Sequence, residues 1–303
     1  SRPFFLWTSF TKPHPPFDPP EPYWSFYRDA PIPDPVIGKW VDSADCPETV
    51  RSIAMSQGFD RLSPAIIRRA RQAYYGLITQ VDYNMGLLFE ALRENPEVLD
   101  NTVIIYTSDH GEFLGDHRCG SKCLFHEPSA HVPFVIRFPQ GWTHLPNWTA
   151  CDTPITLADV FPTVLELAGG QPEDALDGTS IMSFVQGRPA ERERIFARGP
   201  AGRDYLAVTD GNWKYIWYPE GDAEQLFNLT KDAGEICNLA AVDKDRANYW
   251  RGLVVRHYAE RDCELVEDGK LVGFAAERPT EAERRRRNFN AYMGEFFGMD
   301  TRH

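Results

Sequence analysis

The segment SDHGE at residues 108–112 carries side chains that could bind a metal ion. It follows directly on TVIIYT at residues 102–107, a β-branched run typical of a strand buried on both faces. In open α/β sheets, ligands bind beyond the carboxyl ends of the strands. A carboxylate and an imidazole side by side at such an end suit a divalent cation. The pattern therefore predicts Asp109 and His110 as metal ligands.

The residues after this pair combine glycines with further titratable side chains. Gly111 and Gly115 permit a tight backbone, Asp116 and His117 repeat the acid–imidazole pair, and Lys122 adds a cation. Each of these residues alone has a structural explanation, as a helix cap, a hydrogen-bonded histidine or a surface lysine. Their density after a buried strand favours a functional site instead.

A second candidate is His14, in the segment TKPHPPF at residues 11–17. The segment follows residues 4–10, whose aromatic-rich composition predicts another strand. Prolines on both sides stiffen the backbone of His14. A histidine in this position can donate to an anionic oxygen or protonate a leaving group. The alternative is a loop histidine that stacks on aromatic side chains.

The elements around these residues predict an α/β fold with a mostly parallel sheet. Ser63 and Pro64 begin a long helix of about eight turns with one apolar face. VPFVIRF at residues 132–138 reads as another buried strand. Residues 157–168 form a predicted helix that ends at Gly169.

The pattern changes after Gly178, so we predict two domains, residues 1–178 and 179–303. Short strands at 194–197, 204–209 and 213–218, with a hairpin turn at Asp210-Gly211, indicate a small antiparallel sheet. Residues 241–263 are predicted to form a helix that packs on this sheet.

Charge and composition exclude several functional classes. The net charge of −12 argues against nucleic acid as a partner, and no apolar run reaches the about 18 residues of a membrane helix. Six cysteines are too few for a disulfide scaffold, and neither CxxC nor HExxH occurs. The cellular compartment stays open.

Taken together, the motifs resemble the sulfatase family of the alkaline phosphatase superfamily. The resemblance covers most of residues 1–240 and rests on several segments: the strand and His-x-Pro loop at 5–17, QVDYNMG at 80–86, LDNT at 99–102, SDHGE with LGDH and Lys122, EPSAHVP at 127–133, EQLFNL at 224–229, and GE with NLA at 234–240. It implies part of an alkaline-phosphatase-like, mostly parallel sheet with flanking helices.

The resemblance also implies roles for the site residues. Asp109 and His110 correspond to two ligands of one divalent cation, calcium with magnesium or manganese as alternatives. Lys122 corresponds to the lysine that holds the sulfate, and His14 to the histidine near the leaving oxygen. The implied reaction is attack of an activated nucleophile on sulfur, with the cation as Lewis acid.

Three further residues, Asp116, His117 and His126, are interpreted as surroundings of the metal site or pocket wall rather than direct participants. Cys119 and Cys123 flank Lys122 and are either a small loop disulfide or two unrelated thiols.

The family's nucleophile motif, Cys/Ser-x-Pro-Ser/Ala-Arg, does not occur around Cys46 or Cys151. The expectation is therefore a C-terminal portion of a metal-dependent sulfuric ester hydrolase whose formylglycine nucleophile lies upstream. Such a chain would have an incomplete metal site and no turnover of its own. Its expected partners are a small-molecule sulfate or phosphonate ester and a second copy of the chain, paired through exposed sheet edges.

Two alternatives remain open at this point. The first is a phosphonate monoester or phosphodiester hydrolase of the same superfamily, because His110 occurs with both substrate types. The second is a non-catalytic interaction module derived from the fold.

Overall fold

A computed structural model of the protein describes residues 3–139, 141–142, 149–186, 188, 192–200 and 204–276. The end of the predicted second domain, residues 277–303, lies outside this set.

The first part of the chain is helical. Its helices are α1 (Tyr23–Tyr27), α2 (Glu48–Gln57), α3 (Pro64–Arg93) and α4 (Pro96–Leu99), with a 3-10 turn at Phe59–Arg61. The predicted long helix is confirmed as α3, which has 30 residues and begins where the Ser63 side chain accepts from the Ile66 N–H. In the described ranges, no helix combines the length and apolar character that a membrane crossing requires.

The predicted strands at 102–107 and 132–138 form as β1 (Ile104–Thr107) and β2 (Phe134–Arg137). They pair antiparallel, and β1 is half-buried rather than covered on both faces, with Tyr106 37% exposed. A parallel pair needs a crossover, usually a helix, that carries the chain back along the sheet. The helix between these strands, α5 (Glu127–Ala130), has only four residues and provides no such crossover.

For the described residues, the prediction of a mostly parallel sheet is therefore wrong. Their strand ladders are all antiparallel, and parallel pairing is confined to an isolated bridge between Glu220 and Phe274. The predicted strand at residues 4–10 is also wrong. Among the described residues it has no partner strand, and the side chains of Phe4 and Trp7 are exposed.

The next segment contains a 3-10 turn at Leu157–Asp159, α6 (Val160–Leu167) and α7 (Met182–Val185). Thr156 and Asp159 cap the start with reciprocal side chain–backbone bonds. The predicted end at Gly169 is confirmed, because this glycine adopts the left-handed conformation with φ of +75°.

The predicted small antiparallel sheet is confirmed. Its strands lie in the order β3 (Ile195–Arg198), β4 (Leu206–Thr209), β5 (Trp213–Tyr218) and β6 (Ala223–Asn228). Sequence reasoning found β3 to β5 and missed β6 as a strand. The helix α8 (Lys244–Ala259) packs on β4 and β5, and a two-residue hairpin of β7 (Val266–Glu267) and β8 (Lys270–Leu271) follows.

The sheet separates two hydrophobic clusters, because alternate residues of each strand point to opposite faces. One face packs on α8 through Leu206, Val208, Tyr215, Trp217, Leu226, Trp250 and Val254. The other face packs on the first part of the chain through Ala207, Ile216, Tyr218, Phe227, Trp40, Val50, Ile53 and Phe113. This second cluster joins residues on both sides of position 178, and the domain boundary there stays a prediction.

Candidate active site

The structure brings the four predicted site residues together. Lys122 Nζ lies 2.9 Å from His14 Nε2, although 108 positions separate the two residues. The rings of His14 and His110 meet edge to face with centroids 6.4 Å apart. His110 Nε2 lies 3.6 Å from Asp109 Oδ2. Two loops that are distant in sequence therefore form one cluster of two imidazoles, an ammonium and a carboxylate.

The loop that carries His14 forms a turn, which Lys12 of the same loop stabilises. The His14 N–H donates to the Thr11 carbonyl at 3.1 Å. Lys12 Nζ donates to the Pro16 carbonyl at 2.6 Å and also binds the Asp18 carboxylate. The imidazole of His14 is thereby fixed at the start of the proline-rich segment.

Hydrogen-bond partners assign the proton on His14. Its Nδ1 lies 3.0 Å from the Pro15 carbonyl, which can only accept, so Nδ1 carries the proton. Nε2 then accepts from the Lys122 ammonium. His14 is a neutral imidazole in this arrangement, and its Nε2 is the atom directed to the centre of the cluster.

The same reasoning assigns the proton on His110. Its Nδ1 donates to the Gly111 carbonyl at 2.8 Å, so Nε2, which lies near Asp109, is the ring nitrogen that remains for a cation. Asp109 Oδ1 accepts from the His110 N–H at 3.0 Å, and the Asp109 side chain is 84% exposed. A bond from Nδ1 to a carbonyl is the usual way that a metal-binding histidine is oriented.

A carboxylate oxygen and a neutral imidazole nitrogen fit a divalent cation in kind. They do not complete its coordination, since calcium takes about six to eight ligands. In the part of the chain that the structure describes, no three His, Cys, Asp or Glu side chains come close enough to hold a metal ion. Asp109 and His110 thus offer two of the donors that such a site needs.

Asp116 and His117 hold two loops together. Asp116 Oδ1 accepts from the Val36 N–H at 2.9 Å and from Arg71 at 3.1 Å. His117 Nδ1 accepts from the Gly38 N–H at 3.1 Å. These bonds fix residues 36–38 against the turn that leads to Lys122.

His126 is a core residue. It is 0% exposed, stacks on Trp40 with ring centroids 5.4 Å apart, and donates from Nε2 to Gln225 at 3.1 Å. Burial lowers the pKa of both His126 and His117 to about 3. Both imidazoles are therefore neutral inside the protein.

Sequence reasoning missed a buried ion cluster behind the site. Lys214 Nζ lies 2.6 Å from Glu127 Oε1 and 2.8 Å from Glu235 Oε1. Lys214 was recognisable in principle. On the alternating strand β5 it occupies the same face as Ile216 and Tyr218, where a lysine is rarely buried without a partner.

The two cysteines beside Lys122 are not paired. Cys119 and Cys123 are free thiols, which agrees with the interpretation of two unrelated residues. Burial raises the pKa of Cys119, so this thiol is protonated.

Comparison with known proteins gives the family. The profile of the sulfatase family matches residues 1–170, and that of the C-terminal region of N-sulphoglucosamine sulphohydrolase matches residues 115–254. The chain is 32% identical over 277 residues to an arylsulfatase from Clostridium perfringens, covering 90% of this chain and 57% of that protein. It is 33% identical over 273 residues to a choline-sulfatase from Rhizobium meliloti, covering 85% of this chain and 51% of that protein.

The fold agrees with these matches. A solved phosphonate monoester hydrolase from Silicibacter pomeroyi superposes with a TM-score of 0.67 at 25% identity, covering 82% of this chain and 53% of that one. The chain spans about half the length of the curated relatives that it matches. The profile match over more than half of the residues shows that this chain belongs to the sulfatase family.

Proposed function

We propose that this chain supplies anion-binding and cation-binding residues for the hydrolysis of sulfate monoesters. The observation that carries the proposal is the contact of 2.9 Å between Lys122 and His14, beside the Asp109–His110 pair. It is supported by the sequence similarity to an arylsulfatase and a choline-sulfatase.

Lys122 is the proposed ligand of the sulfate group. An ammonium has three donors, of which one goes to His14 in the structure. The others can bind the ester's non-bridging oxygens. Lys122 is half-buried, so its charge is only partly screened by solvent.

His14 is proposed to act at the leaving oxygen. Its Nε2 faces Lys122 and therefore the proposed anion position, while its Nδ1 is committed to Pro15. In the neutral form Nε2 carries no proton, so His14 must first take one up, from solvent or from the Lys122 ammonium, before Nε2 gives a proton to the leaving oxygen as the ester bond breaks.

Asp109 and His110 are the proposed cation ligands, for calcium or alternatively magnesium or manganese. A bound divalent cation would offset the negative charge that develops on the transferred group. The two residues contribute an exposed carboxylate and an imidazole that is already in the metal-binding tautomer.

The second candidate function is hydrolysis of phosphonate monoesters. The structural match to a phosphonate monoester hydrolase favours it specifically. Both esters present a tetrahedral anion, so the same lysine and histidine would serve either one.

Equilibrium binding tests the proposal. We expect an aryl sulfate to bind in the presence of Ca²⁺, and Lys122→Met to weaken binding by about tenfold or more, since a charge-assisted hydrogen bond is lost. Lys231→Met is the matched control, because Lys231 is an exposed lysine of the C-terminal sheet region. Equal affinities of the two variants would contradict the proposal. Competition by a matched aryl phosphonate decides between the two ester classes.

A further inference from the structure

The feature behind this inference is the ion cluster of Lys214, Glu127 and Glu235, which ties the C-terminal sheet to α5. The side chains of Lys214 and Glu235 are 1% and 0% exposed. Burial raises the pKa of Glu235 against the attraction of Lys214. Burial also opposes ionisation of Glu127, but its hydrogen bond from His131 and the charge of Lys214 lower its pKa to about 2. The Glu127 carboxylate is thus ionised beside Lys214.

The cluster fixes α5 through both its side chain and its backbone. Glu127 Oε1 binds Lys214 at 2.6 Å, and the Glu127 N–H donates to Glu235 Oε2 at 2.8 Å. A helix of four residues has little stability of its own. Its position therefore depends on these contacts with the sheet.

In turn, α5 holds the backbone next to the candidate metal ligands. The Gly111 N–H donates to the Ser129 carbonyl at 2.8 Å. The approach is so close that a Cβ at Gly111 would collide with the Pro128 carbonyl. The Gly111 carbonyl is the partner of His110 Nδ1. A continuous path thus runs from Lys214 through α5 and Gly111 to His110.

We propose that Lys214 and Glu235 are positioning residues that hold Asp109 and His110 for cation binding through α5 and Gly111. The inference rests on the proposed function of Asp109 and His110. A buried ion cluster loses much of its stability when one partner is removed, so its members act as a unit. Residues that orient a metal ligand typically change metal affinity by about 10- to 100-fold when they are removed.

The test compares three variants of the full chain. Lys214→Met leaves Glu235 buried without its cation. Glu127→Ala keeps the buried Lys214–Glu235 pair and removes the Lys214 bond to the α5 side chain, together with the exposed bond from His131 to the same carboxylate. This variant protects the test should Lys214→Met fail to fold. Arg251→Met is the control, because it breaks the ion pair with Glu224 on the same sheet without touching α5.

Two measurements are made on each variant: hydrogen exchange of the Gly111 amide and the dissociation constant for Ca²⁺ by calorimetry. We expect Lys214→Met to accelerate Gly111 exchange and weaken Ca²⁺ binding by about tenfold, with unchanged exchange of the α8 amides. Glu127→Ala should act in the same direction to a smaller extent, and Arg251→Met should change neither quantity at Gly111.

The outcomes separate the two claims. Unchanged Gly111 exchange and Ca²⁺ affinity in a folded Lys214→Met or Glu127→Ala protein would overturn the inference. Exchange that accelerates equally at Gly111 and in α8 would also overturn it, because it would show general destabilisation. Wild-type protein that binds no Ca²⁺ would instead overturn the proposed cation site, whatever Gly111 does.

Discussion

Two pairs of histidines in this protein differ in burial and in hydrogen-bond partners. His14 and His110 lie in loops at the candidate site, are partly accessible, and bind backbone carbonyls through Nδ1. His117 and His126 lie behind it in the core, with ring centroids 5.4 Å apart, and both pack on Trp40. Within residues 110–126, burial separates a histidine that is available to the candidate site from two that support it in the core.

The largest expected effect is on the free energy of unfolding, which should depend strongly on the packing around the core histidines and little on the candidate site. Trp40 is 4% exposed and packs on both core histidines, so Trp40→Ala should lower the free energy of unfolding by about 3–5 kcal/mol. Asp109→Ala removes an exposed side chain and should change it by less than about 0.5 kcal/mol. Denaturant unfolding monitored by tryptophan fluorescence measures both. Similar losses in the two variants would remove the distinction.

The low pKa values of His117 and His126 predict that the folded protein loses stability in acid. Their pKa is about 3 in the folded protein and about 6.5 when unfolded, so both are neutral in either state above pH 6.5. Below pH 6.5 the unfolded chain takes up protons that the folded protein excludes, and stability falls until about pH 3. At pH 5 the loss is about 2 kcal/mol for each histidine.

Unfolding free energies at pH 7.5 and pH 5.0 test this prediction. His126→Gln should shrink the loss between the two pH values by about 2 kcal/mol. Trp40→Phe, which perturbs the same core without a titratable change, should keep the loss of the wild type. The charged groups near His126 are Lys214 and Glu127, and both remain in each variant.

The smallest effect concerns the reactivity of a buried and an exposed thiol. Cys119 is buried, and its raised pKa keeps it protonated, whereas Cys151 is exposed. A disulfide reagent at pH 8 should modify Cys151 rapidly in the folded protein and Cys119 only after unfolding. Mass spectrometry of the modified peptides gives the order. Early modification of Cys119 would show that the core is more open than the contacts indicate.

Part of the fold and the site was predictable from sequence because it depends on local signals. The cap at Ser63, the apolar face of α3, the turn at Asp210-Gly211 and the glycine after α6 each act within a few residues. The site residues were found because acid, imidazole and glycine cluster after β1. Their meeting with His14 is a long-range contact that the family resemblance, rather than spacing, implied.

The other features of the fold and the site could not be predicted from neighbouring residues in the sequence, because they depend on long-range contacts. The direction of β2 relative to β1 depends on how a long loop and the short α5 return the chain. The separation of His126 from His110 depends on burial under Trp40, which lies far away in sequence. The Lys214 cluster joins three distant segments, and its only local trace is a lysine on an inward-facing strand position.

We propose that the Lys122–His14 pair and the Asp109–His110 pair form one site for an anionic ester and a divalent cation. Calorimetric titration of Ca²⁺ with and without a saturating aryl sulfate tests it most directly. When Ca²⁺ and the aryl sulfate are bound together, their opposite charges attract, and each ligand should raise the affinity of the other by the same factor, about 5-fold or more. We expect this coupling in the wild type and its loss in Lys122→Met. A Ca²⁺ affinity that is unchanged by the ester would contradict it.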